Sequence, residues 1–226
     1  MNPPSHPRAL TVAIVGGTGS GKTTLARALA GALGDRCAVL DHDSYYRDLS
    51  HLPPAERAAV NFDHPDALEN ALLIQHLHRL RAGRTIEKPH YCFSTHTRLP
   101  EVERVAPRPV MLVEGILLMA LPELRSAFDL RVFVDADDDV RALRRLRRDI
   151  RERDRTIESV CAQWLATVRP MHKRYVAPAR HLADLVVSGE DPIERSMRSV
   201  LEQLKKVEAR PRPDSASSTL LGEFGA

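Results

Sequence analysis

The 226-residue sequence predicts an α/β fold: a doubly wound, mostly parallel five-stranded sheet with a small inserted β-ribbon and an arginine-rich helical lid. Short apolar runs alternate with longer segments of helical periodicity, which is typical of a parallel sheet covered by helices. The first apolar run leads into a glycine-rich loop and then a helix, as a strand–loop–helix unit requires. One later helical segment is unusually rich in arginine.

Five apolar runs predict the strands of the sheet. In chain order they are Leu10–Val15, Ala38–Leu40, Val110–Val113, Leu130–Val134 and Leu185–Val187. Apolar residues between these runs recur at helical spacing and predict five helices. Four helices are Thr23–Leu33, Asp66–Arg81, Asp138–Arg151 and Ile157–Val176, and the fifth is marked by Ile193, Met197, Val200, Leu204 and Val207.

Residues 10–208 are expected to form one domain with two special regions. Residues 84–107 contain short β-prone stretches broken by prolines, without helical periodicity, and predict the inserted ribbon. Residues 138–156 form the predicted lid region. The two ends, 1–9 and 209–226, are rich in small and polar residues or proline, and we expect them to be disordered.

Composition excludes several classes of protein. The formal net charge is only +3, which does not indicate general nucleic-acid binding. Cys37, Cys92 and Cys161 lie far apart, as reduced thiols of a cytoplasmic protein do, rather than in a disulfide or zinc pattern. No stretch approaches the roughly 20 apolar residues of a membrane span. We therefore expect a cytoplasmic protein without a membrane or nucleic-acid partner.

The glycine-rich loop matches the phosphate-binding pattern G-x-x-x-x-G-K-[ST] in the required setting between a strand and a helix. Its residues are Gly16, Gly17, Thr18, Gly19, Ser20, Gly21, Lys22 and Thr23. The backbone N–H groups of such a loop, together with the following helix N-terminus, bind phosphate oxygens. Lys22 is expected to reach the β- and γ-phosphates of ATP (or GTP), and the Thr23 hydroxyl to ligate Mg²⁺.

Carboxylates follow two other predicted strands. Glu114 ends the third strand, and Asp43 stands just after the second, so both are expected at the edge of the sheet where open α/β folds bind ligands. Glu114 could hold a Mg²⁺-bound water. Asp43 could accept a proton from a substrate hydroxyl and also contribute to the metal site.

The lid region contains eight arginines: Arg141, Arg144, Arg145, Arg147, Arg148, Arg151, Arg153 and Arg155. Leu143, Leu146 and Ile150 keep one apolar face of this helix, while several arginines share another. Guanidinium groups at this density indicate a lid that neutralises phosphate charge, with some of the arginines forming only a solvated face.

Taken together, these motifs resemble the uridine kinase (uridine–cytidine kinase) family from residue 12 to residue 191. The motifs are GGTGSGKTT at 16–24, DSYY at 43–46, NFDHP at 61–65, YCF at 91–93 with HTR at 96–98, EGIL at 114–117, and RD at 148–149 with ERDR at 152–155. The resemblance implies ATP-dependent phosphorylation of uridine and cytidine at the 5′-hydroxyl, giving UMP and CMP in pyrimidine salvage. It also implies Mg²⁺ and a homotetramer.

The resemblance also assigns roles to single residues. Asp43 is implied to receive the 5′-hydroxyl proton, with Lys22, Arg148 and Arg153 completing the catalytic set. The remaining nucleoside contacts that it implies are Tyr46, Phe62, Asp63, Tyr91, Phe93, His96, Arg145 and Gln163. Among these, Asp63, Arg148 and Gln163 would contact the ribose, and Tyr91 and His96 the edge of the base. Thr24 and Arg155 would join the donor site.

Other interpretations of the same residues remain at this stage. Asp43 and Asp63 could instead cap helices, and Phe62 and Phe93 could belong to the core. A kinase of another metabolite, similar to phosphoribulokinase or pantothenate kinase, would share the loop and the lid. A non-catalytic nucleotide switch or a nucleic-acid-binding protein is disfavoured, because the arginines lack interleaved aromatics. Asp154 departs from the glycine common in the family and leaves the geometry of the lid open.

Overall fold

The computed structural model describes residues 9–153 and 155–210. Its strands are β1 (Leu10–Val15), β2 (Cys37–Asp41), β3 (Ile86–Cys92), β4 (Thr97–Val105), β5 (Val110–Glu114), β6 (Leu130–Asp135) and β7 (Leu185–Ser188). Five of them form one parallel sheet in the order β2-β5-β1-β6-β7. The predicted five-stranded parallel sheet is confirmed. The strands β3 and β4 pair with each other in an antiparallel ribbon, at the position where the sequence predicts one.

The helices are α1 (Lys22–Leu33), α2 (Pro54–Ala59), α3 (Asn70–Arg81), α4 (Pro122–Ser126), α5 (Asp138–Glu152), α6 (Ile157–Gln163), α7 (Arg169–Met171) and α8 (Ile193–Glu208). π-Helical segments, Trp164–Val168 and His172–Val176, follow α6 and α7. The chain is therefore helical from residue 157 to residue 176, as the sequence predicts.

The sheet is buried on both faces, which explains why its strands are apolar throughout rather than alternating. In β1, Ala13 and Val15 face a core formed with α3 and α4, whereas Val12 and Ile14 face a second core formed with α1 and α8. Because the five strands of the sheet are parallel, their carboxyl ends lie at one edge, and the segments that follow β1, β2 and β5 meet there.

Three details differ from the sequence-based expectations. The third helix begins at Asn70 and not at Asp66, because Pro65–Ala67 form a separate 3-10 turn capped by the His64 side chain. The short helices α2 and α4 were not predicted, since each spans less than two turns and carries little periodicity. Ala9, assigned by sequence to the disordered N-terminus, is buried.

The orientation of α5 also differs from the one its apolar residues indicate. Leu143 is 66% exposed and Ile150 is 39% exposed, whereas Arg141, Arg145 and Asp149 are the buried positions. The helix lies against the glycine-rich loop and the segment that follows α5, where ion pairs and hydrogen bonds satisfy its arginines. A periodicity argument based on apolar residues therefore identified the wrong face.

Among residues 9–153 and 155–210, no helix is long and apolar enough to cross a membrane.

Candidate active site

The glycine-rich loop joins β1 to α1 at the carboxyl edge of the sheet. Gly19 and Gly21 have φ angles of 79° and 97°, a region that residues with side chains rarely adopt. The loop is tightened by a hydrogen bond of 3.1 Å from Ser20 N to the carbonyl of Gly17. This backbone shape places successive N–H groups and the N-terminus of α1 around one site, which suits an anion such as phosphate.

The helix α5 packs directly on this loop. The Arg141 guanidinium lies so close to Gly17 that a Cβ there would overlap it, and the Arg145 Nη1 donates to Thr18 Oγ1 at 3.2 Å. Arg144 Nη1 donates to the carbonyl of Gly189 at 2.9 Å. Arginines predicted by sequence to form a lid are therefore in contact with the phosphate-binding loop.

Lys22 and Thr23 begin α1 and both face Glu114 at the end of β5. Thr23 Oγ1 donates to Glu114 Oε1 at 2.8 Å, and Lys22 Nζ lies 3.8 Å from Glu114 Oε2. Thr24 is exposed and lines a neighbouring cavity of about 220 Å³, together with Arg144, Gly189 and Asp191. Lys22, Thr23 and Thr24 thus lie together at the start of α1, whereas Arg155, also predicted for the donor site, contacts Gln163 and Asp149.

The donor atoms around Thr23 fit a magnesium ion. A hydroxyl and a carboxylate, both oxygen ligands, lie in hydrogen-bond contact beside the loop, and Mg²⁺ typically takes one or two protein oxygens together with phosphate oxygens and water. Within the described residues, no cluster of three or more His, Cys, Asp or Glu side chains could hold a metal by itself. Any ion here therefore depends on the nucleotide for most of its ligands.

Asp43 lies in the 3-10 turn His42–Tyr45 that follows β2. This turn is capped by Asp41, whose Oδ1 accepts hydrogen bonds of 2.8 Å from both N and Oγ of Ser44. Lys88 of the ribbon pairs with the same carboxylate at 3.0 Å. Because Asp41 provides the cap, Asp43 is left to face Lys22 and Glu114, and the capping interpretation of Asp43 does not hold.

The Asp43 carboxyl is held in an environment that opposes its charge. Burial raises its pKa to about 6, and the carboxylates of Glu114 and Asp41 act in the same direction, while Lys22 and Arg153 oppose the rise. A carboxyl whose pKa lies close to neutral pH can hold a proton and release it, which suits general acid–base chemistry.

Five aromatic or imidazole rings form a cluster beside Asp43. Tyr46 contacts Phe62, Tyr91 and Phe93 with ring-centroid distances of 5.4, 5.2 and 6.5 Å. His96 stacks on Phe62 at 4.7 Å with an interplanar angle of 19°. Phe93 is 44% exposed, so it is not a core residue, whereas Phe62 also packs against the core. The structure thus brings together the five ring-bearing residues that the sequence predicts to contact a nucleoside.

Arg98, for which no contact was predicted, connects the ribbon to this cluster. Its guanidinium donates to the carbonyls of Tyr46 and Tyr45 at 3.0 and 3.2 Å and pairs with Glu69 at 2.9 Å. Lys88, which holds Asp41, is a second such residue. Charged residues on a short β-ribbon are usually solvated, so the sequence offered no signal for Lys88. Arg98 belongs to the HTR motif at 96–98, but no contact was predicted for it.

Asp63 follows Phe62 in the chain and is 8% exposed. Its Oδ2 accepts a hydrogen bond of 3.0 Å from Thr167 Oγ1. Burial raises the pKa of Asp63, while Arg145 and Thr167 favour the charged form. The neighbouring 3-10 turn is capped by His64, and thus the capping interpretation of Asp63 does not hold either.

The remaining predicted arginines gather around Asp149. Arg148 donates to Asp149 Oδ1 from Nε and Nη2 at 2.9 and 2.7 Å. Arg155 and Arg145 also bind the side-chain oxygen of Gln163, the latter at 2.8 Å. Gln163 is thus in contact with the arginines. Asp154 lies outside the described residues.

The Arg153 guanidinium lies over the Phe93 ring at 5.2 Å, which places it at the aromatic cluster. The arginines therefore reach both parts of the site: Arg145 contacts the phosphate-binding loop, and Arg153 contacts the aromatic cluster. Asp43 interacts electrostatically with Lys22 and Glu114 beside the phosphate-binding loop and with Arg153 at the aromatic cluster, so it lies between the loop and the cluster.

This fold and this site define a P-loop phosphotransferase. Comparison with known proteins agrees with that class: residues 11–191 match the model of the phosphoribulokinase / uridine kinase family. The chain belongs to this family.

Among the similar curated proteins, a uridine kinase of Chloroflexus aurantiacus is 52% identical over 191 residues, covering 83% of this chain and 91% of the relative. A uridine kinase of Geobacillus kaustophilus is 46% identical over 204 residues, covering 87% and 97%. A solved structure of a candidate fructose transport system kinase from Silicibacter sp. has a TM-score of 0.65 at 22% identity, covering 82% of this chain and 92% of that one. This last likeness concerns the fold alone.

Proposed function

We propose that this enzyme transfers the γ-phosphoryl group of ATP to the 5′-hydroxyl of uridine and cytidine, giving UMP and CMP. The observation that carries the proposal is the position of Asp43 between the phosphate-binding loop and the aromatic cluster. The two relatives named as uridine kinases, at 52% and 46% identity, support the acceptor. The product assignment makes the enzyme part of pyrimidine salvage.

On the donor side, the loop N–H groups and Lys22 bind the β- and γ-phosphates. Thr24 and the adjacent cavity of about 220 Å³ accommodate the rest of the nucleotide. Thr23 and Glu114 would hold Mg²⁺, directly or through water, with Asp43 close by. The ion, when bound, supplies charge neutralisation of the phosphates. Arg145, Arg153 and Arg155 add positive charge around the transferring group.

On the acceptor side, the base lies against Tyr46, Phe62 and Phe93, with Tyr91 and His96 at its edge. Asp63 accepts hydrogen bonds from the ribose hydroxyls, with Arg148 and Gln163 on the same side. This arrangement directs the 5′-hydroxyl toward Asp43. A buried carboxylate such as Asp63 is well suited to ribose, since a ligand without the hydroxyl leaves it with fewer hydrogen-bond donors than its charge requires.

In the transfer step, the 5′-oxygen forms a bond to the γ-phosphorus as the bond from that phosphorus to the bridging oxygen of ADP breaks. The hydroxyl proton passes to the Asp43 carboxylate, and the product leaves as the nucleoside monophosphate. Because the pKa of Asp43 is raised to about 6, the carboxylate is ionised at neutral pH and can still accept the proton.

A substrate panel tests the proposal. The purified enzyme is given ATP and Mg²⁺ with uridine, cytidine, ribulose 5-phosphate or pantothenate, and products are identified by mass. We expect UMP and CMP only. Phosphorylation of ribulose 5-phosphate or pantothenate, with uridine and cytidine unchanged, would overturn the acceptor assignment while leaving the family intact. Replacing ATP by GTP in the same assay establishes the donor preference.

We also propose a cytoplasmic homotetramer. The three cysteines, none of them in a disulfide, support a reducing compartment, and the family resemblance supports the assembly. Light scattering after size-exclusion chromatography measures the mass. A value near the 25.2 kDa of one chain would contradict the tetramer.

A further inference from the structure

The side chain of Asp149 is completely buried near the end of α5 and is surrounded by arginines. Its nearest contact is Arg148 Nη2 at 2.7 Å. Arg145 Nε lies at 3.3 Å, Arg155 Nη1 at 3.7 Å and Arg153 Nε at 3.9 Å. One carboxylate therefore contacts four guanidinium groups.

The main chain of Asp149 holds the same segment. Its carbonyl oxygen accepts hydrogen bonds of 3.3 Å from the backbone N of Arg153 and from that of Arg155. The helix consequently ends in a turn that brings both arginines back toward the Asp149 side chain. Asp149 thus positions the backbone of Arg153 and Arg155 through its carbonyl oxygen, and their guanidinium groups through its carboxylate.

The four arginines do not serve one site only. Arg145 reaches Thr18 of the phosphate-binding loop with a hydrogen bond of 3.2 Å. Arg153 lies over Phe93 of the aromatic cluster at 5.2 Å. Asp149 is the common partner of Arg145 and Arg153. A displacement of either arginine therefore acts on the carboxylate that holds the other.

Charge makes the arrangement depend on Asp149. Four guanidinium groups close together repel one another, and a buried cation without a partner is strongly unfavourable. A nucleotide that binds the loop would place its phosphates near Arg145 and restrict the motion of that guanidinium. Because Arg145 and Arg153 share Asp149, the same restriction would reach Arg153, so less conformational entropy would remain to be lost when the second substrate binds.

We propose that Asp149 is a positioning residue that couples donor binding to nucleoside binding, by holding Arg145 and Arg153 in one assembly. The proposal rests on the proposed function, since it takes ATP and uridine as the two ligands. In thermodynamic terms, each ligand tightens the binding of the other by the same factor, and Asp149 is required for that factor.

Titration calorimetry tests the proposal. The Kd of uridine is measured with and without saturating Mg²⁺ and a non-hydrolysable ATP analogue, in the wild type and in Asp149→Asn. We expect the analogue to tighten uridine binding by about 5-fold to 100-fold in the wild type, the usual range of such coupling. In Asp149→Asn, which keeps the shape but removes the charge, we expect the factor to fall below about 2-fold.

Asp184→Asn is the matched control. Asp184 also pairs with an arginine, Arg131, at 2.7 Å, but at the opposite edge of the sheet. Its loss is expected to lower stability without changing the coupling factor, whereas a purely structural role of Asp149 would make the two variants behave alike. Asp149→Glu, which retains the charge, is expected to restore part of the coupling.

Two results would overturn the assignment. One is an unchanged coupling factor in folded Asp149→Asn. The other is a wild-type enzyme in which the analogue leaves the Kd of uridine unchanged, a result that requires no variant to fold. Both are distinct from failure of the proposed function, which would be seen as a wild-type enzyme that neither binds nor phosphorylates uridine.

Discussion

At the scale of single residues, the site depends on carboxylates that are kept in different states by their neighbours. Asp41 and Asp43 are two residues apart. Burial opposes the charge of Asp41 too, but the Lys88 ammonium and the hydrogen bonds from Ser44 hold its pKa below the ordinary value. For Asp43, Lys22 and Arg153 favour the charged form but do not offset burial and the neighbouring carboxylates, and its pKa is raised to about 6. One carboxylate is therefore a fixed anion and the other is available for proton transfer.

Asp43→Asn tests the second role. The amide is nearly isosteric but cannot accept the hydroxyl proton, so we expect kcat to fall by about 10²-fold to 10⁴-fold while the Kd of uridine changes little. Steady-state kinetics and calorimetry on the same preparation measure both quantities. Asp35→Asn, an exposed position after α1, is the control. A normal kcat with a raised KM would make Asp43 a binding residue only.

Asp63→Ala tests ribose recognition. A deoxynucleoside removes the ribose hydroxyl that would donate to Asp63 and leaves Thr167 as the side-chain donor to this carboxylate, so the buried charge is only partly satisfied. Removal of the carboxylate removes that penalty. A hydrogen bond to a charged group contributes about 1.5 to 3 kcal/mol. We therefore expect the ratio of kcat/KM for uridine over 2′-deoxyuridine to fall by roughly 10-fold to 100-fold.

Thr167→Val is the matched control for Asp63→Ala. It deletes the 3.0 Å hydrogen bond to Asp63 but leaves the carboxylate in place, so it is expected to retain most of the preference for uridine. Kinetics with both nucleosides decide the matter. An equal ratio in wild type and Asp63→Ala would assign ribose recognition elsewhere, with Arg148 and Gln163 as the next residues to test.

At the scale of elements, the contact between α5 and the phosphate-binding loop sets a steric limit. A Cβ at Gly19 would meet main-chain atoms of Arg141, and the φ of 79° is itself unfavourable for a residue with a side chain. The backbone of a helix cannot rotate away as a side chain can. The loop and α5 must therefore separate if Gly19 is replaced.

We expect Gly19→Ala to lower stability by about 1 to 3 kcal/mol and to raise the KM for ATP more than the KM for uridine. Denaturant unfolding and kinetics with each substrate measure the two effects. Gly31→Ala is the control, because a Cβ at Gly31 meets nothing within 4 Å in α1. Alanine at position 31 is expected to raise the free energy of unfolding by about 0.5 to 1 kcal/mol. Equal KM values in wild type and Gly19→Ala would contradict the steric argument.

Some elements could be predicted from the sequence and others could not. The loop 16–23 is defined by local pattern, and the strands by apolar runs, so both were found. The buried face of α5 was not, because Arg141 and Arg145 are buried through partners distant in sequence, among them Thr18 and Gln163. Lys88 and Asp41 are 47 positions apart, and no local pattern links them.

At the scale of the whole molecule, the parallel sheet places the carboxyl ends of its strands at one edge. Negatively charged side chains are thereby concentrated there. Glu114 and Asp41 are the last residues of β5 and β2, Asp43 follows β2, and β5 pairs with both β2 and β1. The repulsion among these carboxylates is relieved when a cation binds beside them. The unliganded protein is consequently expected to be less stable than its core alone would make it, as is common for sites that hold charge in unfavourable positions.

Asp43→Asn also provides a test at this scale. The pKa of Asp43 rises from 3.8 to about 6 on folding, so its contribution favours the folded state fully only below pH 3.8 and is lost as pH rises through 6. Above that pH, ionised Asp43 lowers the free energy of unfolding by about 3 kcal/mol. We therefore expect Asp43→Asn to raise the Tm of the unliganded protein at pH 8 by roughly 5 to 10 °C.

The difference in Tm between Asp43→Asn and wild type is expected to shrink as the pH is lowered toward 4, where both side chains are neutral. Using the difference removes the contribution of buried His42, whose pKa is lowered to about 4 and which titrates in both proteins. Calorimetric scans at several pH values, without nucleotide or metal, measure it, with Asp35→Asn as the control. A difference that stays constant from pH 4 to pH 8 would show that Asp43 is not held in a raised-pKa environment, and the proton-acceptor role would lose its physical basis.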